Sequence, residues 1–144
     1  MSDVVLIAEP YGSVLFAPEV PCLVMQWHSF ANSTEFRSLM NRGLALYEAK
    51  ARQFEALGWL SDARRVGALR SDVQQWLKED WNPRAANAGI RHISFVVPET
   101  VFGQISVGTY AANATASRAY AIGPTQHHTL AAAKAWLKNE LLKG

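Results

Sequence analysis

Trp59-Leu60-Ser61-Asp62-Ala63-Arg64-Arg65-Val66-Gly67-Ala68-Leu69-Arg70-Ser71-Asp72-Val73-Gln74-Gln75-Trp76 is the stretch that decides the fold. Trp59 to Ala63 reads as a short buried strand, the residues through Arg70 as a charged loop, and Ser71 onward as the start of a helix. A long helical pattern precedes it. Between Asn32 and Leu57, Phe36, Leu39, Met40, Gly43, Leu44, Tyr47, Ala51 and Phe54 recur three and four apart, which lines one helix face. A strand that follows a long helix implies a parallel crossover. Asn32 and Glu35 form a capping-box variant at the start of that helix, and Gly58 is its natural stop. Gly43 costs about 1 kcal/mol against alanine in a helix interior and marks close helix–sheet packing.

Working outward, Val4–Ala8, Ser13–Ala17 and Val20–Trp27 read as three strands joined by tight turns, an antiparallel meander. After Ser71, Val73, Trp76, Leu77 and Trp81 give a buried stripe. Pro83 should break or kink that helix, Asn82 should cap a last turn, and Gly89 should end it. His92–Val97 is the clearest strand. Thr100 to Ala112 reads as a short helix weakened by its glycines, and Ala116–Ile122 as a last, edge strand. Gly123-Pro124 then turns the chain, and Thr129 caps a final helix carrying Leu130, Ala133, Trp136, Leu137 and Leu141. The expected fold class is α/β, a mixed β-sheet with helices packed mainly on one face, in one domain spanning residues 1–144.

Composition narrows the function classes. The chain is 49% hydrophobic and 18% charged, with a net charge of +2. This suits a globular domain, and the charge is too small to argue for nucleic acid. One cysteine, Cys22, allows no internal disulfide and reads as a buried, inert thiol. The acidic start and short apolar run at the N-terminus read as no signal peptide, and no run is long enough to span a bilayer, so a cytoplasmic protein is expected.

Chemistry-bearing residues concentrate in the opening stretch. Ser71 reads first as an N-cap with Gln74 at the matching box position. A phosphate on Ser71 would face Arg64, Arg65 and Arg70. Asp62 and Arg64 alternate along one strand and so share a side, first as an ion pair and second as a ligand site at a strand's C-terminal end. The three arginines read as a solvated basic loop or an anion site. Trp59, Trp76 and Trp81, with Trp27 and Trp136, read as core, with an aromatic-lined ligand pocket as the alternative. Trp76 and Trp81 lie five apart, so one of them should face a partner. Adjacent His127 and His128 diverge, so no metal site is expected, and no phosphate loop, nucleophile elbow or carboxylate pair is present. No cofactor is expected.

Taken together, Trp59-x-x-Asp62-x-Arg64, then Trp76, Trp81-x-Pro83-Arg84-Ala85, Gly89, Ile93–Val97 and Ala133-x-Ala135-Trp136-Leu137 resemble the small bacterial STAS-like family. That family is related to anti-sigma-factor antagonists and, more distantly in fold, to the Sec14 lipid-transfer domain. The resemblance covers about Val4 to Leu142. It implies a mixed sheet with helices on one side and a binding or regulatory role without catalysis. In the antagonists a phosphorylated serine begins the helix after the equivalent strand; Ser71 is the nearest match. The antagonists' Asp-Ser-Ser-Gly-type signature is absent, and His127-His128-Thr129 stands where relatives have Phe-Asp-Ser. The leading expectation is a non-enzymatic regulatory, homodimeric domain whose loop 62–71 and following helix contact a protein partner. The alternative is a carrier or sensor of a small apolar or lipid-like ligand.

Overall fold

The computed structural model of the chain describes residues 2–143. Six strands lie in sequence order across one sheet: β1 (Val4–Glu9), β2 (Gly12–Ala17), β3 (Cys22–Trp27), β4 (Gly58–Asp62), β5 (His92–Val96) and β6 (Gly123–His127). The first three form the expected antiparallel meander, and β3 through β6 run parallel. The helices are α1 (Ser33–Ala51), α2 (Ser71–Trp76), α3 (Asn82–Asn87), α4 (Val101–Ala116) and α5 (Leu130–Leu142). A π turn, Leu77–Trp81, joins α2 to α3 without a break.

The topology explains the layering. Crossovers between parallel strands are right-handed, and here every crossover advances the same way across the sheet. All three crossover connections therefore land on one face. Side chains of α1, α2–α3 and α4 share a core there with Leu23, Met25, Trp59, Ile93 and Phe95. Among the described residues only α5 covers the other face, packing Ala133 and Leu137 on Val24, Leu60 and Val96. The α/β sheet with helices mainly on one face is thus as expected.

Helix α1 has the capping box read from the sequence: Asn32 Oδ1 accepts from Glu35 N at 2.8 Å, and Asn32 N donates to Glu35 Oε1 at 3.0 Å. It stops at Ala51, short of Leu57, and Gly58 opens β4 instead of ending the helix. Gly43 sits where a Cβ would come 2.7 Å from Met25 Cε and 3.0 Å from Trp59 on the sheet, so close approach is its role.

Other expectations are corrected. The strand β3 begins at Cys22, with Val20-Pro21 in the preceding turn. Pro83 does not break its helix. Val73, Leu77, Trp81 and Ala85 are all buried at a strict spacing of four, which overshoots a 3.6-residue turn each time. The wide π turn, closed by Asn82 N to Leu77 O, takes up that drift, and Pro83 follows it directly, so its missing N–H falls where the hydrogen-bond ladder is already displaced. Asn82 is no cap: it is buried and bonds Tyr110 (2.7 Å) and Tyr120 (2.9 Å) through its side chain. Helix α4 is longer than its glycines suggested, and it runs through Ala116. Residues 117–122 are not a strand; Gly123-Pro124 starts β6, where a turn was expected. No helix among the described residues is long and apolar enough to cross a membrane.

Candidate functional site

The opening stretch lies at the C-terminal edge of the parallel strands, where open α/β sheets place ligands. Strand alternation divides it between the two faces. Trp59, Ser61 and Ala63 turn toward α1, α2–α3 and α4. Asp62 turns to the opposite face with Gln26 and Arg64.

On the helical side, Trp59, Ser61 and Ala63 line an apolar cavity of about 50 Å³. Trp27, Trp81, Phe95 and Tyr110 supply most of the remaining wall, and Val66 and Leu69 of the loop after β4 close it. Trp59 and Trp81 meet edge to face with ring centroids 5.2 Å apart, and Trp27 stacks on Phe36 at 4.7 Å. Outside the loop a second hollow of about 210 Å³ shares Trp27, Phe36, Val66 and Leu69 with the inner one and adds Phe30 and Arg65. The loop is thus a thin partition between an inner apolar space and a surface recess.

Few bonds hold that partition. Leu69 N donates to Ser106 Oγ at 2.9 Å, Ser106 Oγ donates to the Gly67 carbonyl at 2.9 Å, and Glu99 N donates to the Arg64 carbonyl at 2.9 Å. Arg65, Gly67, Ala68 and Arg70 are exposed. Gly103, in the first turn of α4, abuts the Val66 carbonyl so closely that any Cβ would collide with it. Thr100 Oγ1 caps this helix by accepting from Gly103 N at 3.1 Å.

On the other face Asp62 is buried, and Arg64 grips it with two bonds, Nε to Oδ1 at 2.8 Å and Nη2 to Oδ2 at 2.7 Å. Gln26 Nε2 adds a third at 3.0 Å. Burial alone would raise the Asp62 carboxyl; the bonds from Arg64 and Gln26 outweigh it and hold the group below its ordinary value. The pair bounds a polar cleft with His28, Arg65 and Glu99. His28 Nε2 sits 2.8 Å from Ser13 Oγ, a contact that sequence spacing gave no means of finding.

The expected residues therefore do not form one site. Trp59 and Trp81 meet at the cavity; Asp62 and Arg64 meet at the cleft. Ser71 is the first residue of α2 and is not the cap, which is Arg70 and makes no side-chain capping bond. Gln74 closes no capping box: it is buried and donates to the Ser106 carbonyl at 2.9 Å. The arginines are not a free cluster facing Ser71. Arg64 is committed to Asp62, and Arg70 pairs with Asp72 at 3.0 Å. Trp76 is half-buried, with the Arg37 and Arg84 guanidinium groups 5.5 and 6.0 Å from its ring. Cys22 is fully buried, which pushes its thiol pKa up. Ser106, Phe95 and Tyr110, unremarked in the sequence, complete the cavity and its closure.

No family model, curated protein or solved structure matches this chain.

Proposed function

We propose that this chain binds a small, largely apolar ligand in the cavity beneath residues 63–70, as a carrier or sensor without catalysis. One observation carries the reading: an aromatic-walled hollow at the C-terminal strand edge, closed by a lightly tethered loop. Well-packed cores leave few voids larger than a water molecule. A void of about 50 Å³ has room for roughly four waters, yet its wall is almost wholly apolar, which is the setting of a dry, ligand-accepting cavity. That volume is about a third of the roughly 150 Å³ that accepts a benzene ring, so a ring-sized ligand enters only as the loop gives way, and a long acyl chain is excluded. Opening of the loop would join it to the outer recess and expose the bound state to a partner.

Native mass spectrometry after gentle purification, with melting curves over a panel of single-ring hydrocarbons, tests this. A ligand at 100 times its Kd should stabilise the fold by about 2.7 kcal/mol. The Ala63→Val variant, which fills the cavity, should lose that response. A flat response by the wild type across the panel, with no co-purified ligand, would overturn the reading.

A second reading has its own support. Val101, Phe102 and Ile105 at the start of α4 are 67%, 69% and 60% exposed beside the loop, and Phe30 is 82% exposed at the outer recess. Such a patch suits a contact surface, as the STAS-like resemblance implies for loop 62–71 and as a homodimer would need. Light scattering over a concentration series decides it. Dimerisation through this patch should vanish in Phe102→Asp, and a monomer mass at every wild-type concentration rules the dimer out.

A further inference from the structure

The polar cleft beside Asp62 has a volume of about 370 Å³, inside the usual span of small-molecule pockets, about 300–1,000 Å³. It opens at the C-terminal edge of the parallel strands, where such sheets place ligands. Of its lining residues only Trp27 is apolar, so it suits a polar ligand, a different class from that of the cavity.

One arginine in it is fixed in advance. Arg64 spends Nε and Nη2 on the buried carboxylate of Asp62. A guanidinium carries five N–H donors in a planar fork, so the edge made by Nη1 and the second N–H of Nη2 is not spent on that pair. The Arg64 side chain is 45% exposed, which leaves this edge open to a ligand. An ion pair with a buried carboxylate adds little net stability. What this pair does is hold a rigid two-donor edge, the geometry that receives a second carboxylate.

Two charges are left over once Asp62 and Arg64 cancel. Arg65 and Glu99 are exposed and belong to no ion pair among the described residues. Glu99 N donates to the Arg64 carbonyl at 2.9 Å, which ties the segment after β5 to the one after β4 and keeps both charges at one cleft. A simple anion there would meet Glu99, and a simple cation would meet Arg65. A molecule carrying both charges finds a partner for each. We propose that this cleft binds a small zwitterion of the α-amino acid type, with its carboxylate on Arg65 and the open edge of Arg64 and its ammonium on Glu99.

The probes are the twenty L-amino acids, screened by the shift in melting temperature. The one with the largest shift is then titrated by calorimetry beside its N-acetyl and carboxamide derivatives, each of which removes one charge and keeps the side chain. At least one amino acid should bind the wild type, and each derivative should bind about tenfold or more weakly, the worth of one charged hydrogen bond. Arg65→Gln and Glu99→Gln break no ion pair, so both should fold and melt as the wild type does. Arg65→Gln should lose about tenfold in affinity for the amino acid and little for its carboxamide; Glu99→Gln should lose about tenfold for the amino acid and little for its N-acetyl derivative. No shift with any amino acid overturns the proposal, and so does an N-acetyl derivative that binds as tightly as the parent, which would mark a plain anion site. The hydrocarbon panel reports on the apolar cavity separately, so either result leaves that reading to its own test.

Discussion

On the α5 face of the sheet the core side chains are small and none is aromatic: Ala17, Val20, Cys22, Val24, Leu60, Val96, Ala133 and Leu137. On the opposite face they include Trp27, Trp59, Trp81, Phe36, Tyr47, Phe95 and Tyr110. One helix seals the first face, so closely that a Cβ on Gly58 would sit 2.7 Å from Leu137. Three helical segments and a loop are needed to close the second, and a cavity remains. Small branched side chains nest against one rigid helix with little loss. Flat, stiff rings held among several elements fill space less completely and leave a shaped void. The tight face serves stability, and the aromatic face has room for function.

Four measurements bear on this contrast. The largest effect should come from Leu137→Ala, which empties a fully buried site on the tight face: denaturant unfolding should show a loss of about 2–5 kcal/mol. Next come two matched enlargements. Ala133→Val on the tight face should cost about 1–3 kcal/mol, whereas Ala63→Val, beside the cavity, should change stability by less than about 1 kcal/mol. Equal costs at the two positions would mean that the aromatic face is as full as its opposite. Gly108, on the exposed side of α4, has nothing within 4 Å of a Cβ. Gly108→Ala should therefore gain about 0.5–1 kcal/mol by helix propensity, read as a rise in melting temperature.

The smallest effect concerns pH. The Asp62 carboxyl has a lower pKa folded than unfolded, so its contribution is present above the unfolded value of about 3.9 and is lost as pH falls through the folded value. Half-exposed Arg64 is partly screened by water, which keeps the contribution modest. Acid unfolding of Asp62→Asn should show a shallower loss of stability below that pH than the wild type. Parallel curves would mean the pair is titrationally silent.

The local signals were legible where one element's own residues carry them. The stripe and capping box of α1, the Ile93-Ser94-Phe95-Val96 strand and the Thr129 cap, whose Oγ1 accepts from Ala132 N at 3.0 Å, all behave as read. The β6 strand escaped because Gly-Pro-Thr-Gln-His has no β-branched run. Its pairing with β5 makes it a strand. The full length of helix α4 escaped because Gly103 weakens a helix locally, although close contact with the Val66 carbonyl requires it there.

The stretch from Trp59 to Trp76 draws the same boundary. Its order of residues fixed a strand, a loop and a helix, and fixed that Asp62 and Arg64 share a side, because period-two alternation is a local property of the backbone. Only the tertiary structure decided that this side is a polar cleft. It also decided that the other side, with Trp59 and Ser61, faces a cavity that α1, α2–α3, α4 and the loop enclose together. A void belongs to no single segment: it is the space left when separately specified surfaces meet, so no local pattern could announce it.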